Sequence, residues 1–158
     1  MNTLVIYDSQ FGNTEKVAKA IAETLGDSAE AIHVAKVTPQ DIESLDALIV
    51  GSPTQRFRPT LPITTFLKSL PARSLKGVHV AAFDTRLTVE EIESHAVLAF
   101  FVRIFGYAAK PIGRLLAKKG GQLFLPPEGF FVQGMEGPLV EDELERAREW
   151  TQQFLGQC

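Results

Sequence analysis

The sequence predicts an α/β fold in which a parallel sheet carries helices on both faces. Short apolar runs alternate with helical patterns along the chain, as strand–helix–strand units require. The run Val78-His79-Val80-Ala81-Ala82-Phe83 is almost entirely apolar, which is typical of a central strand buried on both sides. Ligands of such sheets bind beyond the carboxyl ends of the strands. We therefore expect the turns after the first, third and fourth strands to meet.

Strands and helices follow each other in a regular order. The strand runs are short and mostly apolar, whereas the helical stretches carry apolar residues at spacings of three and four. Val17, Ile21 and Leu25 in the first helical stretch show that spacing. The predicted strands are Leu4–Tyr7, Ala31–Ala35, Ala47–Gly51, Val78–Phe83 and Gln122–Leu125. The predicted helical regions are Thr14–Leu25, Leu61–Leu70, a long region between Val89 and Lys119, and Glu141–Leu155.

The length and composition suit one domain spanning residues 1–158. A chain of 158 residues buries about 70% of its unfolded surface on folding. The net charge of −3 argues against a general nucleic-acid binder. Asp8 interrupts the first apolar run, so we expect no secretory leader. Cys158, the only cysteine, can form no internal disulfide and stands last in the chain, which favours a reducing cytoplasm and argues against a cysteine nucleophile.

The turn after the first strand has the chemistry of a phosphate site. It offers hydroxyls, an amide and a glycine, and it carries no basic side chain. Backbone N–H groups and the positive end of the helix dipole converge at such a turn. The absence of a lysine excludes the nucleoside-triphosphate loop, and a single glycine does not make the dinucleotide fingerprint. A single terminal phosphate fits best, and the alternative is an ordinary helix cap. The turn reads Ser9-Gln10-Phe11-Gly12-Asn13-Thr14.

The turn after the third strand carries an aromatic residue where a polar one is usual. It reads Gly51-Ser52-Pro53-Thr54-Gln55-Arg56-Phe57-Arg58-Pro59, and its two prolines stiffen it. Phe57 at a ligand-facing rim could stack on a flat ring, which is worth about 0.5–1.5 kcal/mol beyond burial. The alternative is a contact between Phe57 and the core beneath the turn.

Together, the two turns resemble those of the flavodoxins. Residues 9–14 resemble the flavodoxin phosphate loop, and residues 51–54 resemble its second flavin loop. The similarity covers nearly the whole chain and includes Phe130-Phe131-Val132 and Gly137-Pro138-Leu139. It implies a flavodoxin-like doubly wound five-stranded parallel sheet of order 2-1-3-4-5 with FMN at its switch point. Residues 54–57 are also similar to the Thr-Arg-Phe turn of flavodoxin-like quinone reductases.

The resemblance implies an FMN-binding electron-transfer protein whose partners are redox proteins or a small acceptor such as a quinone. No side chain need act as an acid or base, and we expect no metal, because the three histidines share no ligand spacing. The alternatives are an NAD(P)H-dependent FMN quinone reductase of the same fold and a non-redox binding module that has lost FMN. The residues expected to hold FMN are Ser9, Phe11, Gly12, Asn13, Thr14, Pro53, Thr54, Gln55, Arg56, Phe57, Asp84, Thr85 and Arg86.

Three features depart from the flavodoxin pattern. Phe11 replaces a hydroxyl residue of the phosphate loop, which removes one donor. The second loop lacks the usual tryptophan, and Trp150 in the last helix is expected in the core. The segment Asp84-Thr85-Arg86-Leu87, interpreted as the turn after the fourth strand, lacks the tyrosine that flavodoxins place against the outer flavin face. The ring would lie between Phe57 and this segment, with weaker stacking.

The segment Ala96–Phe105 is apolar except for Arg103. Its ten residues are too few to cross a bilayer, which needs about 20. A helix that is apolar all round is buried or faces a partner. We expect either an element packed beside the flavin pocket or a homodimer contact, and membrane contact near a lipid quinone is a third reading. Gly106-Tyr107-Ala108-Ala109 resembles the start of the family's fourth helix, so the preceding segment is interpreted as an addition.

Overall fold

A parallel sheet forms the centre of the structure, a computed structural model that describes residues 1–157 apart from the side chains of residues 104 and 105. Four strands lie side by side in the order β2-β1-β3-β4. The fifth position is divided between β5 and β6, which both pair in parallel with β4. The predicted order 2-1-3-4-5 is confirmed, with its last strand in two pieces. The strands are β1 Thr3–Tyr7, β2 Ala29–His33, β3 Ala47–Pro53, β4 His79–Leu87, β5 Gln122–Leu123 and β6 Glu128–Val132.

Helices cover both faces of the sheet, as predicted. Val17 of α1 and Trp150 of α6 belong to one core cluster, and Leu67 of α2 and Ile112 of α5 belong to a second. Successive strand residues alternate between the two clusters, because side chains of a strand point to opposite faces in turn. The expectation that Trp150 lies in the core is confirmed. The helices are α1 Asn13–Leu25, α2 Leu61–Ser69, α3 Val89–Glu93, α4 Ala96–Phe105, α5 Ala109–Lys118 and α6 Glu143–Leu155.

The prediction that residues 84–87 form a turn is wrong. They continue β4, and they pair with the end of β3 on one side and with β6 on the other. A strand predicted from its own apolar run stops at Phe83, but the ladder continues as long as neighbouring strands supply hydrogen-bond partners. The chain leaves β4 only at Thr88, whose hydroxyl caps α3. Any ligand at this edge therefore meets a strand end and not a loose turn.

Other strand and helix boundaries also differ from the predicted ones. The second strand is two residues earlier than predicted, because a short 3₁₀ turn takes over at Val34 and the Ala35 N–H bonds to His33 Nδ1. The predicted last strand, Gln122–Leu125, is shortened to Gln122–Leu123, and β6 was not predicted as a strand. Pro126 and Pro127 separate the two pieces, since proline cannot donate to a ladder. The region between Val89 and Lys119 is three helices, and α6 begins at Glu143. Cys158, set aside as a nucleophile, lies outside the described residues.

None of the described helices is both long and apolar enough to span a bilayer. The segment Ala96–Phe105 forms a single helix of ten residues. Gly106 ends that helix with a φ of 74°, which favours glycine.

Gly51 marks a place on β3 where a side chain has no room. A Cβ at this position would lie 2.0 Å from Cζ of the fully buried Phe83. We expect Gly51→Ala to lower the free energy of unfolding by about 1–3 kcal/mol, because an overpacked core must shift. Urea denaturation measures the change. Gly156→Ala is the matched control, since its Cβ would meet nothing closer than 3.5 Å. Equal stability of the two variants would contradict the expectation.

Candidate site at the carboxyl edge of the sheet

A cavity of about 760 Å³ lies at the carboxyl ends of β1, β3 and β4. Its volume falls within the range of about 300–1,000 Å³ typical of small-molecule sites. All the predicted site residues line it except Gly12 and Asp84. The expected convergence of three chain segments is therefore confirmed. The lining residues are Ser9, Gln10, Phe11, Asn13, Thr14, Pro53, Thr54, Gln55, Arg56, Phe57, Thr85, Arg86, Leu87, Ile92, Leu98, Val102, Tyr107, Val132 and Met135.

The turn before α1 presents backbone donors to this cavity. Gly12 takes the left-handed conformation, with a φ of 89°, and α1 begins at Asn13. The Ser9 hydroxyl accepts hydrogen bonds from the N–H groups of Gly12 (3.1 Å) and Glu15 (3.3 Å). The N–H groups of Asn13 and Thr14 stand in the first turn of the helix, where no intrahelical acceptor exists. The positive end of the helix dipole and two backbone donors thus coincide at this turn.

Side-chain hydrogen bonds hold the three segments together. The Thr14 and Thr85 hydroxyl oxygens lie 2.8 Å apart, so a hydrogen bond joins the start of α1 to the end of β4. Gln55 Nε2 donates to Gln10 Oε1 at 2.6 Å, which ties the first turn to the second. Two side-chain hydrogen bonds thus connect the three segments that line the cavity.

The Asn13 side chain anchors the segment that follows β6. Its Nδ2 donates to the carbonyl oxygen of Glu136 at 3.0 Å. A Cβ on Gly137 would lie 2.5 Å from the same Nδ2, so only glycine permits this approach. What Asn13 can offer a ligand is therefore its backbone N–H more than its side-chain amide.

The second turn holds two residues in a strained conformation. The backbones of Gln55 and Arg58 exchange hydrogen bonds of 2.9 and 3.0 Å, which closes a two-residue turn. Its central residues are Arg56 (φ 48°) and Phe57 (φ 67°), although such turns ordinarily use Asn-Gly. The left-handed conformation costs an ordinary residue about 1–2 kcal/mol. Strain of this kind clusters at ligand clamps.

This strain can be measured by comparing two truncations of Phe57. Both Phe57→Gly and Phe57→Ala remove the ring, but only glycine adopts a positive φ without cost. We expect the glycine variant to be more stable than the alanine variant by about 1 kcal/mol in thermal unfolding. At Phe11, where the structure shows no positive φ, the same pair should favour alanine or show no difference. A Phe57→Gly variant no more stable than Phe57→Ala would contradict the assignment of strain.

Helix α4 forms an apolar wall of the cavity. Leu98 and Val102 line it, and the Phe101 ring stacks on the Phe57 ring with centroids 5.7 Å apart and planes at 23°. The expectation that Ala96–Phe105 packs beside the pocket is confirmed. Val97 and Phe100 on the same helix are 71% and 58% exposed. The helix thus presents apolar side chains both to the cavity and to solvent.

Asp84 lies behind the cavity wall and is fully buried. Arg86 donates to both of its carboxylate oxygens, from Nε at 2.7 Å and from Nη2 at 2.8 Å, and the Ala109 N–H donates at 2.8 Å. Burial raises the pKa of the Asp84 carboxyl, while Arg86 and the Ala109 N–H oppose that shift. Asp84 is not among the described residues that line the cavity. Its effect on the cavity is indirect, because its hydrogen bonds hold the Arg86 side chain in position.

The Arg86 side chain packs closely against Tyr107 and Gly129. Its guanidinium carbon lies 3.7 Å from the centroid of the Tyr107 ring, a cation–π contact. A Cβ on Gly129 of β6 would lie 2.1 Å from Arg86 Nε, so any larger residue there would displace the Arg86 guanidinium. Arg86 and Tyr107 both line the cavity. This wall therefore carries an aromatic ring after all, although not from the segment that follows Phe83.

Comparison with known proteins identifies the family. The family model described as a flavodoxin domain matches residues 4–99, more than half of the chain. The chain belongs to the flavodoxin domain family. The resemblance inferred from the two turns is confirmed.

Curated flavodoxins match a shorter part of the chain. Flavodoxin 1 of Escherichia coli K12 is 40% identical over 53 residues, which are 33% of this chain and 30% of that protein. The flavodoxin of Aquifex aeolicus VF5 is 44% identical over 55 residues, which are 32% of this chain and 30% of that protein. The matched part of the chain thus spans under a third of the length of these curated relatives.

Solved structures share the fold over nearly the whole chain. A flavodoxin from the domain Archaea has a TM-score of 0.75 at 20% identity and covers 96% of this chain and 94% of its own. Oxidised flavodoxin 1 from Bacillus cereus has a TM-score of 0.75 at 17% identity, covering 98% and 97%. A WrbA-like flavodoxin from Agrobacterium tumefaciens has a TM-score of 0.70 at 18% identity, covering 99% and 96%. At these identities the likeness concerns the fold alone.

Sequence reasoning missed several lining residues of this flavodoxin family member. Most are apolar and come from segments distant in sequence, so no local pattern marks them. Tyr107 was visible in the segment that resembles a helix start, and the apolar run 96–105 signalled α4 without indicating which of its side chains line the cavity. The missed residues are Gln10, Leu87, Ile92, Leu98, Val102, Tyr107, Val132 and Met135.

Proposed function

We propose that this chain binds FMN in the cavity at the carboxyl edge of the sheet and transfers electrons through it. The observation that carries the proposal is the division of the cavity into two chemistries. Backbone donors stand at the start of α1, and aromatic and aliphatic side chains from other segments line much of the rest of the cavity. A ligand with a phosphate tail and a flat ring requires both. When bound, FMN supplies the redox chemistry, and the protein supplies orientation and electrostatics.

The residues of the first turn fit a phosphate. The Asn13 and Thr14 N–H groups would donate to it, and the α1 dipole favours its negative charge. The Ser9 hydroxyl accepts from two backbone groups, so its own O–H proton remains available for donation. Phe11 contributes no hydroxyl, and no basic side chain belongs to the turn. The residues predicted to bind the phosphate would therefore act mainly through their backbone N–H groups.

The apolar part of the cavity lining fits a flat ring. Phe57, Tyr107 and the side chains of α4 would bound such a ring and exclude water from it. Arg86 is paired with Asp84, so this wall contributes little net charge. Thr54, Gln55 and Thr85 supply polar groups at the rim, alongside Pro53 and Arg56. Apart from Arg56, the described lining residues are uncharged or, for Arg86, paired with a carboxylate, so the ring would meet mostly neutral surroundings.

An electron-transfer assay tests the proposal. FMN-loaded protein is expected to be reduced through a flavoprotein reductase and to pass electrons to an acceptor protein, with FMN-free protein as the control. No reduction by any donor, with FMN demonstrably bound, would contradict electron transfer.

A second candidate is an NAD(P)H-dependent FMN quinone reductase. It is favoured by the turn Thr54-Gln55-Arg56-Phe57, which resembles that of flavodoxin-like quinone reductases. Steady NADPH oxidation with a quinone and without any added reductase would support this candidate over the carrier. A protein that remains colourless with FMN would point to the non-redox binding module.

A cytoplasmic location stays a prediction.

A homodimer contact through Ala96–Phe105 also stays a prediction. Val97 and Phe100 expose apolar surface on α4 outside the cavity. If a second copy covers this face, Phe100→Glu should convert a dimer to a monomer in gel filtration, because a carboxylate cannot be buried there without a partner. An unchanged elution volume for the variant and the parent protein would contradict the contact.

A further inference from the structure

A second cleft borders the main cavity and shares two residues with it. Its volume is about 510 Å³, and Gln55 and Arg56 belong to the walls of both. Leu61, the first residue of α2, is also part of its wall. The lining residues are Gln55, Arg56, Arg58, Pro59, Thr60 and Leu61. A ligand group in this cleft would therefore lie next to whatever occupies the cavity.

The start of α2 leaves backbone donors at this cleft. The Thr60 N–H donates to Ser52 Oγ at 3.0 Å, and Pro62 has no N–H to offer. The N–H groups of Leu61 and Ile63 stand in the first helical turn, where no intrahelical acceptor exists. The positive end of the helix dipole lies at the same place.

The Thr60 side chain provides an independent observation. Thr60 lines the cleft and is only 5% exposed, yet its Oγ1 has no hydrogen-bond partner among the described residues. A threonine before a helix ordinarily accepts a hydrogen bond from the third helical N–H, which here belongs to Ile63. That bond is not made. Buried hydroxyls are nearly always satisfied by protein groups or by ordered water, so this one lacks a partner that a water or a ligand group would supply.

The charge of the cleft selects an anion. Arg56 and Arg58 contribute two guanidinium groups, and no acidic side chain is among the described lining residues. Guanidinium groups bind phosphoryl oxygens through paired hydrogen bonds, and helix N-termini favour the same group. A hydroxyl and two backbone donors add the neutral contacts that such a site uses.

We propose that this cleft binds a phosphoryl group. The group belongs either to a free anion such as pyrophosphate or to a dinucleotide such as NADPH that extends into the adjoining cavity. Only the second source rests on the proposed function, since it places a nucleotide beside bound FMN. The binding of the phosphoryl group itself requires neither FMN nor electron transfer.

An NMR titration of the ¹⁵N-labelled chain with pyrophosphate tests the proposal. The Leu61 and Ile63 amides report the cleft, and the Asn13 and Thr14 amides report the phosphate turn of the main cavity. We expect saturable shifts at Leu61 and Ile63. Arg58→Gln should weaken them about tenfold, which corresponds to about 1.4 kcal/mol. Lys68→Gln, which removes the same charge near the other end of α2, should leave them unchanged.

Two further measurements complete the test. Thr60→Val, which keeps the shape and removes the hydroxyl, should also weaken pyrophosphate binding at the cleft. Tighter binding of NADPH than of pyrophosphate assigns the dinucleotide, and equal binding assigns the free anion. Absent shifts at Leu61 and Ile63 with millimolar pyrophosphate, or equal losses in Arg58→Gln and Lys68→Gln, would overturn the proposal. Titration with FMN, read at Asn13 and Thr14, reports the proposed function separately.

Discussion

Asp84→Ala is expected to lower the free energy of unfolding by about 3–5 kcal/mol, because it removes one partner of a buried ion pair. The substitution leaves the Arg86 guanidinium without its carboxylate in a wall where its side chain is 19% exposed. It also deprives the Ala109 N–H of its acceptor. Urea denaturation followed by circular dichroism measures the loss. The effect should reach α5 as well as β4, because that N–H belongs to the first residue of α5.

The matched control removes both charges together. In Asp84→Leu/Arg86→Leu no uncompensated charge is left, and buried ion pairs can often be replaced by apolar residues at little cost. We expect the double variant to recover most of the stability lost in Asp84→Ala. If both variants lose the same free energy, the cause lies in packing around Tyr107 and Gly129 and not in the unpaired charge.

Phe57→Ala is expected to weaken FMN binding about ten- to hundredfold, or about 1.4–2.7 kcal/mol. An aromatic contact contributes about 0.5–1.5 kcal/mol beyond burial, and burial itself contributes about 1.5–3 kcal/mol. Part of this gain is already present in the free protein, where Phe57 stacks on Phe101. The net loss is therefore smaller than the sum. Fluorescence titration of FMN with each variant measures it.

Phe100→Ala is the control for this experiment. This substitution also removes a phenyl ring, here from α4, but Phe100 is mostly exposed and is not among the described cavity residues. Its FMN affinity should equal that of the parent protein. Phe101→Ala should give an intermediate loss of FMN affinity, since Phe101 would affect the flavin ring only by supporting the Phe57 side chain. Equal affinities for Phe57→Ala and Phe100→Ala would remove Phe57 from the site.

Local patterns sufficed where neighbours in sequence decide the structure. The apolar spacing of α1 and the composition of the turn before it follow from residues within one helical turn of each other. The strand order followed from the resemblance, which those same turns carry. In contrast, the extension of β4 to Leu87 depends on β6, more than 40 residues away in sequence. No property of residues 84–87 alone shows that a partner strand will be present.

The burial of Asp84 illustrates a second limit. Charged residues are almost never fully buried unless they are paired, so a surface turn was the natural expectation. The sequence did contain the missing information, because residues two apart in a strand share a face and Arg86 stands two residues after Asp84. The cavity wall from α4 is different in kind. Its side chains are all apolar, and only the packed structure distinguishes Leu98 and Val102 from the exposed Val97 and Phe100.

Calorimetric titration of the purified chain with FMN, beside riboflavin, tests the central claim most directly. Riboflavin keeps the ring and lacks the phosphate, so the difference between the two ligands isolates the turn before α1. We predict saturable binding of one FMN per chain and clearly weaker binding of riboflavin. The absence of heat with saturating FMN would contradict a flavin site at this edge of the sheet. Equal affinities for the two ligands would contradict the phosphate turn.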